Sequence, residues 1–217
     1  MKHLLSLERL DVGRTLALTV GSPSVHRRGA MLKHIAFLLL FLVVGVGQVW
    51  GEDVTSTMDL DDQSGTVSTS TTSFTGTESA TWSLSIDANT SSVNSDSGDK
   101  YFQIGSGSKT ATSMAWTSSS FSGKKVKQVK VKGSTSGTSA SVSVVSGSNT
   151  FTATTSTYTS ATATTLTFNS PTTGGNVLSE NLVVTIAFAS ATKKNIRLFQ
   201  IDVIYDDGNS GSSEPTV

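Results

Sequence analysis

The sequence predicts an all-β protein: a two-sheet antiparallel β-sandwich of the jelly-roll kind, after an N-terminal signal helix. Three observations predict it. Apolar residues after residue 80 recur with a period of two; clusters of Gly, Ser and Asn break these runs at short intervals; and no long helical pattern follows residue 52. About nine or ten short strands in one domain suit two packed sheets, and their order stays open.

Taken in order, the chain begins with a segment, 1–30, that no export signal needs. Met31-Leu-Lys-His then supplies positive charge, an unbroken apolar run covers Ile35 to Val46, and Gly47-Gln-Val-Trp-Gly51 closes the stretch. That is the order of a secretory signal peptide, with Val49 and Gly51 small enough for the −3 and −1 positions. Cleavage is expected between Gly51 and Glu52. The apolar run is short for a membrane anchor, because spanning takes about 20 residues, so no membrane span is expected once the signal is removed. Met31 is the expected true start and 1–30 a non-native, disordered extension. Arg27-Arg28 lacks the context of a twin-arginine signal.

Residues 52–80 are polar, with Val54, Met58, Leu60, Val67 and Phe74 as apolar anchors for an edge strand or two. The sandwich proper is expected over 81–206. Trp82-Ser-Leu-Ser-Ile86 alternates, as do Phe102 with Ile104, Met114 with Trp116, Val129 with Val131, and Ala140 with Val142 and Val144. Leu166 and Phe168 follow, then Leu182, Val184, Ile186 and Phe188 as the cleanest inward face, and finally Ile201, Val203 and Tyr205. Val126 is out of phase with Val129, and Ile196 and Leu198 are out of phase with Ile201. One extra residue shifts the phase of a strand, which predicts β-bulges near Lys127-Gln128 and Phe199-Gln200. Turn signals include Ser97-Gly-Asp99, Gly133-Ser-Thr-Ser-Gly137 and Ser146-Gly-Ser-Asn149. Residues 207–217 read as a flexible linker, which suggests that a further C-terminal domain is missing.

Composition excludes more than it selects. All three histidines (His3, His26, His34) precede the cleavage point, and the chain has no cysteine. After residue 51 there can be no Ser-His-Asp or Cys-His catalysis, no zinc site built on His or Cys, no disulfide and no lipid-bearing cysteine. Six of the sixteen basic and two of the sixteen acidic residues lie before residue 52, leaving ten against fourteen. A mildly acidic domain of this sort is not expected to bind nucleic acid. Ser and Thr make up roughly two-fifths of the chain after residue 51. A disordered or glycosylated stalk would be proline-rich, whereas only Pro171 and Pro215 occur there, and Thr suits the wet side of a sheet.

Three constellations stand out. Asp87, Asn89, Asn94, Asp96 and Asp99 supply oxygen ligands at close spacing between Ile86 and Tyr101, as a structural Ca²⁺ would require. Calcium is the one cofactor considered, with Asp87, Asn89, Asp96 and Asp99 as its ligands. A solvated turn, where Asp and Asn serve the backbone, explains the same residues. Asp59, Asp61 and Asp62 form a second acidic group. Lys124, Lys125, Lys127, Lys130 and Lys132 make a basic strip, with Lys130 and Lys132 on one strand face; either they contact an anionic glycan or phosphate, or they form a solvated or edge-protecting face. Trp82, Tyr101, Trp116 and Tyr158 are the aromatic candidates for a sugar-stacking platform. Trp82 and Trp116 share the phase of core-like Leu84, Ile86 and Met114, so both belong inside. Tyr158, in the polar run Thr157-Tyr-Thr-Ser160, is the best candidate for an exposed ring. Only carboxylate pairs could serve an enzyme, and none of Glu52, Glu78, Glu180 and Glu214 is marked out by its setting, so no enzyme is expected.

From Gly98 to Asp206 the text includes Lys100-Tyr-Phe-Gln-Ile-Gly-Ser-Gly-Ser-Lys109, Trp116-Thr-Ser-Ser-Ser-Phe-Ser-Gly-Lys-Lys-Val-Lys-Gln-Val-Lys-Val131 and Ile196-Arg-Leu-Phe-Gln-Ile-Asp-Val-Ile-Tyr205. This half of the chain resembles galactose-binding-like jelly-roll modules of exported bacterial proteins, especially from gut-dwelling Gram-negative groups, which often accompany hydrolase or nuclease domains. The shared positions are core and turn positions, so no binding residue carries over. The resemblance implies a secreted, periplasmic or surface-attached, non-catalytic module that binds a polysaccharide or cell-surface glycan. A purely structural or adhesive module is the alternative.

Overall fold

The computed structural model describes residues 52–63, 68, 70–206 and 208. The expected signal helix and the segment before it lie outside these residues, as do residues 209–217. The described chain is all-β and contains no helix. Its strands are β1 (Asp53–Asp59), β2 (Ser73–Thr75), β3 (Thr81–Ala88), β4 (Ser91–Asp96), β5 (Asp99–Ile104), β6 (Ala111–Ser118) and β7 (Lys125–Thr135). There follow β8 (Ala140–Ser146), β9 (Asn149–Thr150), β10 (Thr157–Tyr158), β11 (Thr164–Asn169), β12 (Asn176–Val177), β13 (Leu182–Thr192) and β14 (Ile196–Asp206).

The strands form two antiparallel sheets packed as a sandwich. The first runs β11-β7-β14-β5-β4, with β12 beside β7 and β1 beside β14. The second runs β10-β8-β13-β6-β3-β2, with β9 beside β8. Successive long strands pass from one sheet to the other, the habit of a jelly roll. On one side β14 pairs with β7 along its whole length; on the other, Ile196–Leu198 pair with β5 and Gln200–Asp206 with β1.

Alternation places the core. Val129, Val131, Leu166, Phe168, Val184, Ile186, Ile201 and Val203 all point inward and are buried. The polar segment before residue 81 supplies Met58, Leu60 and Phe74 to the same core. At its centre Phe74, Phe102 and Trp116 meet, with ring centroids 4.7 to 6.2 Å apart, and the Trp116 indole N–H donates to Met114 Sδ at 3.2 Å. The Ser/Thr content goes largely to the other side of the second sheet, where Ser85, Ala115, Thr185 and Ser143 form one rung across four strands.

Both phase breaks are bulges. Ile204 pairs with Gln128 but Tyr205 with Val126, so Lys127 is the extra residue of β7. Leu198 pairs with Gly133 but Gln200 with Lys132, so Phe199 is the extra residue of β14. The β4–β5 hairpin turns on Ser97 (φ 56) and Gly98 (φ 104), the pair of positive φ values that matches hairpin twist.

Candidate functional site

The four candidate rings do not form an exposed platform. Trp82 and Trp116 are core residues, as their phase predicts, with Trp82 packed on Phe121 at 5.7 Å. Tyr158 is a correction: it is 1% exposed, not an open ring. Its ring lies against Gly133, where a Cβ would come within 2.7 Å of Tyr158 Cε2, and its hydroxyl donates to the Val131 carbonyl at 2.7 Å. Tyr158 thus reaches from the second sheet to the first, with its polar tip satisfied inside. Burial pushes its hydroxyl well above the ordinary tyrosine range.

Tyr101 differs. It is 7% exposed, yet neither it nor Phe199 belongs to the main core cluster. Phe102 and Ile104 point inward from β5, which turns Tyr101 and Gln103 to the outer face of the first sheet. Phe199, the bulge residue of β14, joins them there. The two rings meet at 5.0 Å with a 46° tilt. The Arg197 guanidinium lies 4.9 Å from the Tyr101 ring centre, and Lys132 Nζ lies 5.6 Å from that of Phe199. The rings are covered because cations lie over them.

Of the expected ligand residues, the structure therefore brings Tyr101, Lys130 and Lys132 to one face and leaves Trp82, Trp116 and Tyr158 in the interior. Arg197 Nε donates to Gln103 Oε1 at 3.1 Å, and Asn195 Nδ2 donates to the same oxygen at 3.2 Å. Lys132 pairs with Asp99 at 2.6 Å. Lys130 stands opposite Asp202, whose Oδ1 accepts from Thr57 Oγ1 at 2.9 Å and Gln200 Nε2 at 2.7 Å. At the other end of the strip Lys127 pairs with Asp53, and Lys124 Nζ lies 4.2 Å from the Tyr205 ring centre. Two of the five lysines of the basic strip, Lys127 and Lys132, are thus ion-paired.

The structure does not bring the candidate calcium ligands together. Residues 91–96 form a strand, not part of a loop, which separates Asp87 and Asn89 from Asp96 and Asp99 by the length of β4, about 20 Å for six residues. Asn89 donates to Thr110 Oγ1 at 2.7 Å, and Asp99 is held by Lys132. Among the described residues no group of three or more acidic, His or Cys side chains could hold a metal. Asp59 accepts from the Asp61 N–H at 2.9 Å. Burial raises its pKa, and the charges of Asp61 and Asp62 add to the rise against that hydrogen bond and Lys132.

The second sheet carries two adjoining surface depressions, of about 180 and 400 Å³, that share Thr117 and Asn181. Ser73, Thr81, Ser83, Ser119 and Glu180 complete their polar lining, and Trp82 borders the smaller one with 1% of its surface exposed. Neither has an open aromatic ring.

No family model and no curated protein matches the sequence. Among solved structures the chain is similar to a family 36 carbohydrate-binding module in complex with calcium and xylotriose, at 13% identity and a TM-score of 0.32, over 54% of this chain and 92% of that one. It is similar to a family 29 carbohydrate-binding module from Piromyces equi, at 14% identity and a TM-score of 0.35, over 64% and 96%. A family 61 module in complex with β-1,4-galactotriose gives 13% identity and a TM-score of 0.36, over 58% and 84%. The sugars and the calcium named with them belong to those proteins.

Sequence reasoning missed Phe199 and Arg197 as neighbours of Tyr101, and Gln103, Asn195 and Ser134 as the polar residues around Arg197. One signal was available for Phe199: a bulge at that point turns it away from Leu198, outward.

Proposed function

We propose that this is an exported, non-catalytic β-sandwich module that binds an extracellular glycan on the outer face of its first sheet. The observation that carries the reading is the Tyr101–Phe199 ring pair outside the core, bordered by Gln103, Asn195 and Arg197. The rings are covered in the free protein, so a sugar reaches them only as Lys132 and Arg197 turn off the rings toward its hydroxyls; aromatic faces with adjacent amide and charged groups then suit its apolar face. Export rests on the signal-like order of residues 31–51. The depressions of the second sheet include one carboxylate, Glu180, where glycoside hydrolysis ordinarily uses two.

The burial of Trp82, Trp116 and Tyr158, together with the low exposure of Tyr101 and Phe199, favours a second reading, a structural or adhesive module without a sugar site. An array of plant, host and bacterial polysaccharides separates the two. Binding that Gln103→Ala weakens, and that Ser143→Ala on the opposite sheet leaves alone, supports the glycan reading. No binding to any polysaccharide supports the structural one.

A further inference from the structure

We propose that the ligand of this face is an acidic glycan whose carboxylate is taken by Arg197, with Ser134 and Asn195 as partners of adjacent sugar oxygens. The inference rests on the glycan reading above and names its ligand class.

Three independent features converge on Arg197. The first is its own valence. Nε is engaged by Gln103, a neutral partner, while neither terminal nitrogen has a hydrogen bond or ion pair among the described residues. Stacking on Tyr101 holds the guanidinium plane, leaving the two-pronged edge that matches a carboxylate.

The second is the distribution of unsatisfied groups. Among the described residues two buried side-chain polar atoms lack a partner, Ser134 Oγ and Asn195 Oδ1. Ser134 is fully buried and stands directly opposite Arg197 across the β7–β14 pair, on the same face of the sheet. Asn195 shares Gln103 Oε1 with Arg197. A buried polar group without a partner is destabilising, so two in one cluster mark a place built for something else. Their chemistry is complementary: a hydroxyl that can donate and an amide oxygen that can only accept. A uronate presents an accepting carboxylate and donating hydroxyls on the same ring. Ser134 is fully buried in the free protein, so the side chains over it have to move for a ligand to reach its hydroxyl.

The third is charge. The row Ser134–Arg197–Gln103–Ser92 crosses four strands without a carboxylate. Asp99 and Asp202 lie nearer the Lys130 and Lys132 end of the face, where those lysines stand beside them. Lys193 and Lys194 follow in the turn before β14 and add positive charge at the Arg197 end.

The test is titration of the full chain with polygalacturonate, with its methyl ester, and with a neutral galactan. Tenfold or greater preference for the free acid over the ester is expected. Arg197→Gln should abolish that preference at unchanged melting temperature, and Lys193→Ala/Lys194→Ala should keep most of it in 0.15 M salt. Equal binding of acid and ester by the wild-type chain overturns the proposal, whatever the variants do. Binding of the neutral galactan alone overturns it and leaves the glycan reading standing, whereas binding of none of the three, with a blank array, sinks both.

Discussion

Tyr158 shows how much one side chain settles. Its ring fills the space over Gly133, and its hydroxyl satisfies the Val131 carbonyl of the opposite sheet. Tyr158→Phe removes that hydrogen bond from a carbonyl in the middle of the β11–β7–β14 ladder, and a loss of about 0.5–1.5 kcal/mol is expected in urea unfolding. Gly133→Ala should cost at least as much, because its Cβ would meet Tyr158 at 2.7 Å and the Arg197 carbonyl at 2.8 Å. The pH dependence has a definite sign. The folded hydroxyl has a raised pKa, so its contribution is complete below the unfolded value of 10.0 and is lost as pH rises past it. Between pH 8 and pH 11 the urea midpoint of the wild type should fall more than that of Tyr158→Phe; parallel declines would show that the hydroxyl ionises freely in the folded state. None of this was legible locally. Tyr158 stands in a two-residue strand among Thr and Ser, too short for a period, and its partner Gly133 lies 25 positions away. Trp82 and Trp116, inside long alternating strands, were legible from phase alone.

At the scale of the strand, the two bulges were written in the sequence as breaks of phase, and their consequences differ from those of a core position. Removing Phe199 leaves Leu198 and Ile201 inward with Gln200 outward, so the core face of β14 stays in register. Removing Asp202 turns Val203 and Tyr205 to the outside, since one residue inverts a strand. The Phe199 deletion is therefore expected to fold with a modestly lowered urea midpoint and to lose the ring pair with Tyr101. The Asp202 deletion is expected to lose its near-ultraviolet circular dichroism. Equal damage from the two would mean that the bulge is needed by the backbone itself. The acidic residues between Ile86 and Tyr101 were misread at this same scale. Ser91-Ser-Val-Asn-Ser-Asp96 contains one strongly apolar residue, and an edge strand with so little to bury has almost no period to detect; pairing with β5 makes it a strand.

For the whole molecule, the fold class followed from composition and period because an antiparallel sandwich needs only an inward face on each strand. Strand order was out of reach, since it depends on which edges meet. The separation of Asp87 and Asn89 from Asp96 and Asp99 by the length of β4 gives an expectation for the full chain: melting temperatures with excess Ca²⁺ and with EDTA should agree. A rise of several degrees with Ca²⁺ would reveal a metal site formed by other residues. The position of β14 has a temporal consequence. The final strand joins β7, β5 and β1, so until residues 196–206 have been made the first sheet consists of separate pieces. Its closing contact, Asp53 with Asp206, spans nearly the entire sandwich, the sort of long-range pairing that forms slowly. The core of this sandwich cannot seal until residues 196–206 have emerged. Were the chain exported as proposed, that delay would keep it thin enough to thread a secretion pore.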